Sequence, residues 1–258
     1  MKKIAIIIQA RKGSTRLPNK VLAEVEGHSM LWHLVQRLRH SKFAPEIIIA
    51  TTTSERDNPI LDIAAELGVK SYVGSEDDVL DRYYQTALNF KIDIIIRITA
   101  DCPLIDPEVF DKVLIFYLEN DYDYVSNTRP PTFPDGLDVE IYSFKTLEQA
   151  WKDAKLASER EHVTYYIRNN NKIFKLGNVN YDGDYTEDLS KLRWTVDEKE
   201  DLEFVKAVFK NLYKKKKIFL MNDIIELMKE KPELMRINNQ YERNEGFLKS
   251  LKEDRIIK

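Results

Sequence analysis

Three short runs of apolar, mostly β-branched residues, at 4–8, at 47–50 and within 93–98, lie between polar turn segments and are separated by stretches with the period of amphipathic helices. Runs this short, with no polar alternation, are what strands buried on both faces require. Strands of that kind alternating with helices predict a mostly parallel sheet with helices on both sides, a doubly wound, Rossmann-like α/β fold. With 258 residues and 43% hydrophobic content the chain can bury one such core. No Pro-, Gly- or Ser-rich linker divides it, so a single domain over 1–258 is expected.

Helical patterns cover 30–38, 58–67, 79–89 and 106–119. The second is punctuated by Asn58 as N-cap, Pro59 at the first position and Gly68 as stop. The proline-rich segment 129–136 cannot continue a regular element, so an irregular insertion is expected at about 127–140. Helical signals return over 144–156, 159–169, 200–210 and 241–251, with strands expected near Phe174 and Trp194. From about 212 onward the chain reads as a helical extension.

Forty Lys+Arg against 43 Asp+Glu leave a net charge of −3, which gives no reason to expect a nucleic-acid partner. The lysines at 214–217 read as a solvated helix end or, alternatively, an anion-binding patch. The single cysteine, Cys102, excludes an internal disulfide and a Cys-rich zinc site and fits a reducing compartment. The apolar run after Met1-Lys2-Lys3 is too short for a signal peptide, and no run of about 20 apolar residues suggests a membrane span. A soluble, cytoplasmic protein with no membrane partner is the expectation.

The loop after the first strand holds the first functional signal. Residues 9–20 carry four cations (Arg11, Lys12, Arg16 and Lys20) together with Gly13, Ser14 and Thr15. Ligands of open α/β sheets bind beyond the carboxyl ends of strands, where a turn of small residues offers N–H groups to phosphate oxygens while Arg and Lys neutralise charge. The loop contains neither a Walker A sequence nor a dinucleotide glycine fingerprint, which disfavours a kinase or dehydrogenase. A polyphosphate site and an ordinary basic surface loop both fit this composition.

A phosphate site that uses Mg²⁺ needs carboxylates beside it. Asp101 directly follows the third strand and precedes Pro103, which fits either a metal ligand or a turn residue bonding nearby amides. Asp197, with Glu200 three residues on, fits either a metal ligand or a helix cap. Asp106 and Asp81 read as structural. His28, His33 and His40 share no ligand spacing, His162 falls inside a helical pattern without an assignable nucleophile, and Cys102 reads as a packing residue.

Taken in order, IIIQARKGSTRLPNKVL (6–22), ATTTSERDNPI (50–60), YVGSEDDVLDRYY (72–84), IIRITADCPLIDP (95–107), FPDGLDVEIYS (133–143), SEREHVT (158–164) and LRWTVDEKEDL (192–202) form a set far more specific than any one piece. The chain resembles the cytidylyltransferase family of CMP-sugar-acid synthetases, and within it the spore-coat-polysaccharide (SpsF-type) branch. The resemblance implies a nucleotidyltransferase fold related to the GT-A fold. It also implies Mg²⁺-dependent transfer of CMP from CTP to a sugar acid or related small acceptor, with pyrophosphate release, for surface-polysaccharide or glycoconjugate precursor synthesis, by a homodimer.

By the same resemblance Arg11 and Lys20 bind the triphosphate and, with Asp101, are catalytic, while Asp101 and Asp197 hold magnesium. Gln9, Ala10, Gly13, Ser14, Thr52 and Thr99 line the nucleotide, joined by Ser75, Asp78 and Arg82. Asp135, Gly136, Asp138 and Glu140, with Glu161 and His162, face the acceptor. The Kdo-activating enzymes carry Gly-Asp-Glu-Pro where this chain has Ala100-Asp101-Cys102-Pro103, and their sugar-binding segments do not line up with 133–140, so the acceptor is a class and not a compound. Two rivals stand beside this reading. One is a glycosyltransferase holding its metal through Asp121-x-Asp123 or Asp182-x-Asp184. The other is a non-catalytic nucleotide-binding protein.

Overall fold

The computed structural model describes residues 2–243, 245–252 and 254–257. In chain order these form β1 (Ile4–Gln9), a small hairpin of β2 (Glu24–Val25) and β3 (His28–Ser29), α1 (Met30–Leu38), β4 (Glu46–Thr52), α2 (Asn58–Glu66), β5 (Lys70–Gly74), α3 (Val79–Asn89), β6 (Ile94–Thr99) and α4 (Pro107–Glu119). The second half adds β7 (Tyr124–Ser126), β8 (Glu140–Ser143), α5 (Phe144–Asp153), α6 (Ala157–Glu161), α7 (Tyr165–Asn169), β9 (Leu176–Asn178), α8 (Lys199–Leu212), α9 (Met221–Glu230) and α10 (Glu245–Lys252).

Among the described residues the main sheet has seven strands in the order β5-β4-β1-β6-β8-β7-β9. The first four run parallel, β8 is antiparallel to both β6 and β7, and β9 is parallel to β7. The predicted doubly wound α/β sheet is therefore present, and its continuous apolar strands have a plain cause. Ile6 and Ile8 of β1 join one core with α1, α2, α4, α8 and α9, while Ala5 and Ile7 join the opposite core with α3, α5 and α7. Helices on both faces leave no side on which a polar residue of β1 would meet water. No described helix is long and apolar enough to cross a membrane.

Several boundaries differ from the sequence expectation. Asp57, not Asn58, precedes α2 as its cap residue, which puts Pro59 at the second helical position; Gly68 ends the helix with φ +62° as expected. The helix expected over 144–156 stops at Asp153. The one expected over 159–169 is two short helices broken at His162, whose backbone is not helical (φ −98°, ψ 47°). Around the break, Arg160 reaches Asp78 at 2.9 Å and Thr164 donates to Glu140 at 2.6 Å, so buried polar partners override local helix propensity. Trp194 lies in no strand, only beside an isolated bridge between Asp135 and Arg193. The helix expected over 241–251 is observed as α10, and Asn244 lies outside the described residues.

Candidate active site

The strand order turns about β1, with β4 and β5 on one side and β6 on the other, which makes the carboxyl ends of β1 and β6 the switch point where such sheets bind ligands. There Gln9 is paired with Ala50 and Thr99, and its side-chain oxygen accepts from Arg97 Nε at 3.2 Å. The basic loop leaves from this point. Ala10 N donates to the Ala50 carbonyl (3.1 Å), Lys12 N to Asp57 Oδ1 (2.7 Å), and Ser14 Oγ accepts from Leu17 N (3.3 Å). At Asn19 the chain turns through a left-handed residue (φ 60°) into the 3-10 turn that begins with Lys20.

The Lys20 ammonium donates to Asp101 Oδ2 (3.0 Å), Asp197 Oδ1 (2.8 Å) and the Val196 carbonyl (2.8 Å). Three distant stretches of chain thereby converge on one cation. Burial works against the charge on Lys20, but Asp101 and Asp197 outweigh it and raise its pKa. Burial also opposes ionisation of Asp101, yet Lys20, Thr99 and Cys102 hold its carboxyl down to about 2. Arg16 adds a second cation, bonding Asp197 Oδ1 at 2.8 Å and Glu198 Oε1 at 3.2 Å. Arg11, by contrast, has no ion pair or side-chain hydrogen bond among the described residues.

The two readings of Asp197 separate here. The cap at α8 is built by Asp201, whose carboxylate accepts from the Asp197 and Glu198 amides at 2.9 Å each, so Asp197 is not the capping group and Glu200 is not its partner. Its side chain is left to meet Lys20. Asp101 meets its own turn through one oxygen, Oδ1, which faces Cys102 Sγ at 3.5 Å, and leaves Oδ2 to Lys20. The fold brings the two carboxylates together because Val196 N donates to the Asp101 carbonyl at 2.8 Å.

Beside this centre lies an acidic end. Asp135 is 3.8 Å from Arg193 and 3.6 Å from Arg243, and Asp138 accepts from Arg243 at 2.5 Å. Burial and the neighbouring Asp138 push the Asp135 carboxyl up to about 7, despite both arginines. Gly136 has φ +106°, and a Cβ there would stand 2.6 Å from Thr195 N and 2.7 Å from Trp194 C. Glycine is required, because this loop lies flat against the segment that carries Asp197.

Other expected residues are engaged inside the protein. Glu140 is buried, and its oxygens are taken by Arg97, Tyr124 and Thr164. His162 shares a 2.6 Å hydrogen bond with Ser250 and packs on Phe247; burial, Arg97 and Arg168 lower its pKa to about 4. Glu161 is exposed. Thr52 is buried and donates to Asp57; Asp78 caps α3 and binds Arg160; Arg82 donates to the Ser75 carbonyl at 2.7 Å, and its Nε is buried without a partner. Asp106 caps α4, and Asp81 accepts from Trp151, both structural as expected.

Residues 5–239 match the family model described as cytidylyltransferase. The chain belongs to the cytidylyltransferase family. It is therefore a nucleotidyltransferase by family. It is 32% identical to the spore coat polysaccharide biosynthesis protein SpsF of Bacillus subtilis, over 90% of this chain and 97% of that protein. It is 45% identical to an uncharacterized protein of Methanocaldococcus jannaschii, over 67% of this chain and 70% of the relative. The structure of a cytidylyltransferase from Leptospira borgpetersenii superposes with a TM-score of 0.85 at 35% identity, covering 91% of this chain and 97% of that one. A CMP:2-keto-3-deoxy-manno-octonic acid synthetase complexed with CTP shares the fold at a TM-score of 0.62 and 20% identity, covering 81% and 99%.

The Asp-x-Asp pairs of the glycosyltransferase rival do not join the cluster of Lys20, Asp101 and Asp197. Asp121 and Asp123 precede β7, which runs parallel to β6, so they lie at the opposite end of the strands from Asp101, and Asp182 is an exposed loop residue paired with Lys112. Sequence reading missed the arginines. Arg193 sits within the LRWTVDEKEDL stretch and offered a signal there. Arg243 lies beyond that motif set and offered none; it arrives on a C-terminal arm whose Phe247 stacks edge-on against His162 and Tyr165 and whose Asp254 accepts from Ser158.

Proposed function

We propose that this protein is a Mg²⁺-dependent cytidylyltransferase that transfers CMP from CTP to a sugar acid or related small acidic acceptor and releases pyrophosphate. The observation that carries the proposal is the convergence of Asp101, Asp197 and Lys20 on one point at the switch between β1 and β6, beneath a loop whose Arg11 has no partner among the described residues. The carboxylates fit the metal. Two hard oxygen donors bracket a single positive centre, here the Lys20 ammonium, and magnesium prefers one or two carboxylates completed by phosphates and water. Bound there, the metal would neutralise phosphate charge and orient the α-phosphate.

The chain's own residues do the rest. Arg11 and Lys20 hold the triphosphate and stabilise the charge on departing pyrophosphate, while Gln9, Ala10, Gly13, Ser14 and Thr99 shape the nucleotide's seat. Thr52, Ser75, Asp78 and Arg82 support that seat through their internal bonds. The acceptor enters over Asp135, Gly136 and Asp138, with Glu161 and His162 at the rim and Glu140 fixing the wall behind them. Transfer to the α-phosphorus then needs alignment and charge stabilisation, not a protein nucleophile.

The reading includes a cytoplasmic homodimer acting in surface-polysaccharide or glycoconjugate precursor synthesis. It is tested by a pyrophosphate-release screen that crosses four nucleoside triphosphates with nonulosonic acids, other sugar acids, sugar phosphates and phosphorylated alcohols, with and without Mg²⁺. Metal-dependent release with CTP and a sugar acid is expected; release of a nucleoside diphosphate from a nucleotide sugar, or magnesium-independent CTP binding without turnover, sinks it. Light scattering checks the dimer.

A further inference from the structure

Lys20 stands where the proposed metal reading requires a divalent cation. Its ammonium bonds one oxygen of Asp101 and one of Asp197, and its side chain is only 11% exposed. Arg16 shares the same Asp197 oxygen, and Arg193 lies 3.6 Å from the other. The loop expected to grip a triphosphate is therefore docked by two of its own cations onto the carboxylates expected to grip the metal. Lys20 cannot serve both partners at once, since an ammonium and a divalent ion sharing the same two oxygens repel at close range. A buried ammonium also does not leave its carboxylates without another anion to receive it.

We propose that Lys20 is an exchangeable counter-ion: it holds Asp101 and Asp197 in the nucleotide-free protein and yields them to a divalent cation only when a triphosphate takes up its ammonium group. Metal and nucleotide then enter as one event, and metal alone binds weakly. Arg11, which has no carboxylate partner among the described residues, makes the first phosphate contact, and Lys20 with Arg16 follows. This inference rests on the metal-site reading of Asp101 and Asp197, and it adds an order of binding that the reading itself does not contain.

The test is Mn²⁺ binding to the full-length protein without nucleotide, followed by electron paramagnetic resonance of the free ion, for wild type, Lys20→Met and Lys20→Arg. Lys20→Met is expected to bind Mn²⁺ at least tenfold tighter than wild type, although the same change disables turnover, while Lys20→Arg stays as weak as wild type. Thermal denaturation provides the second readout. Mg²⁺ alone should raise the Tm of Lys20→Met, whose carboxylates lack their main cation, and leave that of wild type nearly unchanged. If Lys20→Met does not fold, Arg16→Met takes its place, with a smaller gain in Mn²⁺ affinity expected.

Equal or weaker Mn²⁺ binding by the Met variants, with wild type binding Mn²⁺ once CTP is added, overturns the exchange and leaves the metal site standing. Absence of Mn²⁺ binding to any variant, with or without CTP, overturns both.

Discussion

The guanidinium of Arg193 holds both carboxylate oxygens of Asp201, at 2.9 and 3.0 Å, and the same carboxylate accepts the amides of Asp197 and Glu198. One buried ion pair thus starts α8 and sets the backbone from which Asp197 reaches Lys20. Asp201→Ala should cost about 3 kcal/mol, because it removes the bidentate partner of a buried arginine, which keeps only the longer carboxylate contacts to Asp135 and Asp197, and the acceptor of two amides. For a chain of this size that is roughly 10 °C in Tm, read by calorimetry. Turnover of the folded fraction should fall too; an unchanged kcat at a lowered Tm would detach Asp201 from the site.

Asp101→Asn and Lys20→Ala each remove one charged group from the proposed centre. Each should lower kcat roughly 10²–10³-fold while leaving the circular dichroism spectrum of wild type. Near-normal turnover in either variant would remove that residue from the chemistry.

Gly136→Ala introduces a Cβ at 2.6 Å from Thr195 N in a backbone with φ +106°. Relief requires the 194–197 segment to shift. A stability loss of at least ~1 kcal/mol is expected in urea titration. A larger proportional loss of activity should accompany it, since misplacing a positioned group by about 1 Å can cost 10²-fold in rate.

His33 is buried, with its Nε2 2.7 Å from the Val25 carbonyl, and burial, together with His28 and Arg37, lowers its pKa from 6.5 to about 4. Between those values the unfolded chain takes up a proton that the folded protein refuses. The stabilisation is complete above pH 6.5 and is lost as pH falls toward 4. At pH 5 the loss amounts to about 2 kcal/mol. Urea midpoints at pH 7 and pH 5 measure the slope, and His33→Gln, which can still donate to Val25, should flatten it. The same slope in the variant would assign the effect to other groups.

Asp121→Asn, Asp123→Asn and Asp182→Asn test the glycosyltransferase alternative. The side chains of Asp121 and Asp182 are exposed, and all three pair with Lys175 or Lys112 away from Lys20. Activity should stay within twofold of wild type, and stability within about 0.5 kcal/mol. A hundredfold loss from any of them would move the metal site.

The sheet was legible because its signal is local. Ile6, Ile7 and Ile8 report double-sided burial within one stretch, and Pro59 and Gly68 mark a helix by their own backbone chemistry. Asp197 was only half legible, since a metal ligand and a cap both place an acid at a helix start. What removed the cap reading was Asp201, one position beyond the expected partner. His162 was misplaced in a continuous helix because Glu140 and Asp78, which draw Thr164 and Arg160 inward, are far away in sequence. Arg243 was invisible for the same reason, as nothing near it marks the Asp138 carboxylate that it meets.

The arm bearing Arg243, Phe247 and Asp254 crosses from the Asp135–Asp138 loop to α6 and is made after every strand of the sheet. A chain still held in the ribosome before residue 243 already carries every strand of the sheet, the basic loop and Lys20, Asp101 and Asp197, yet its Asp138 lacks the arginine that bonds it. The acidic end is therefore completed only after every strand has been made, by residues that have no part in building the sheet itself.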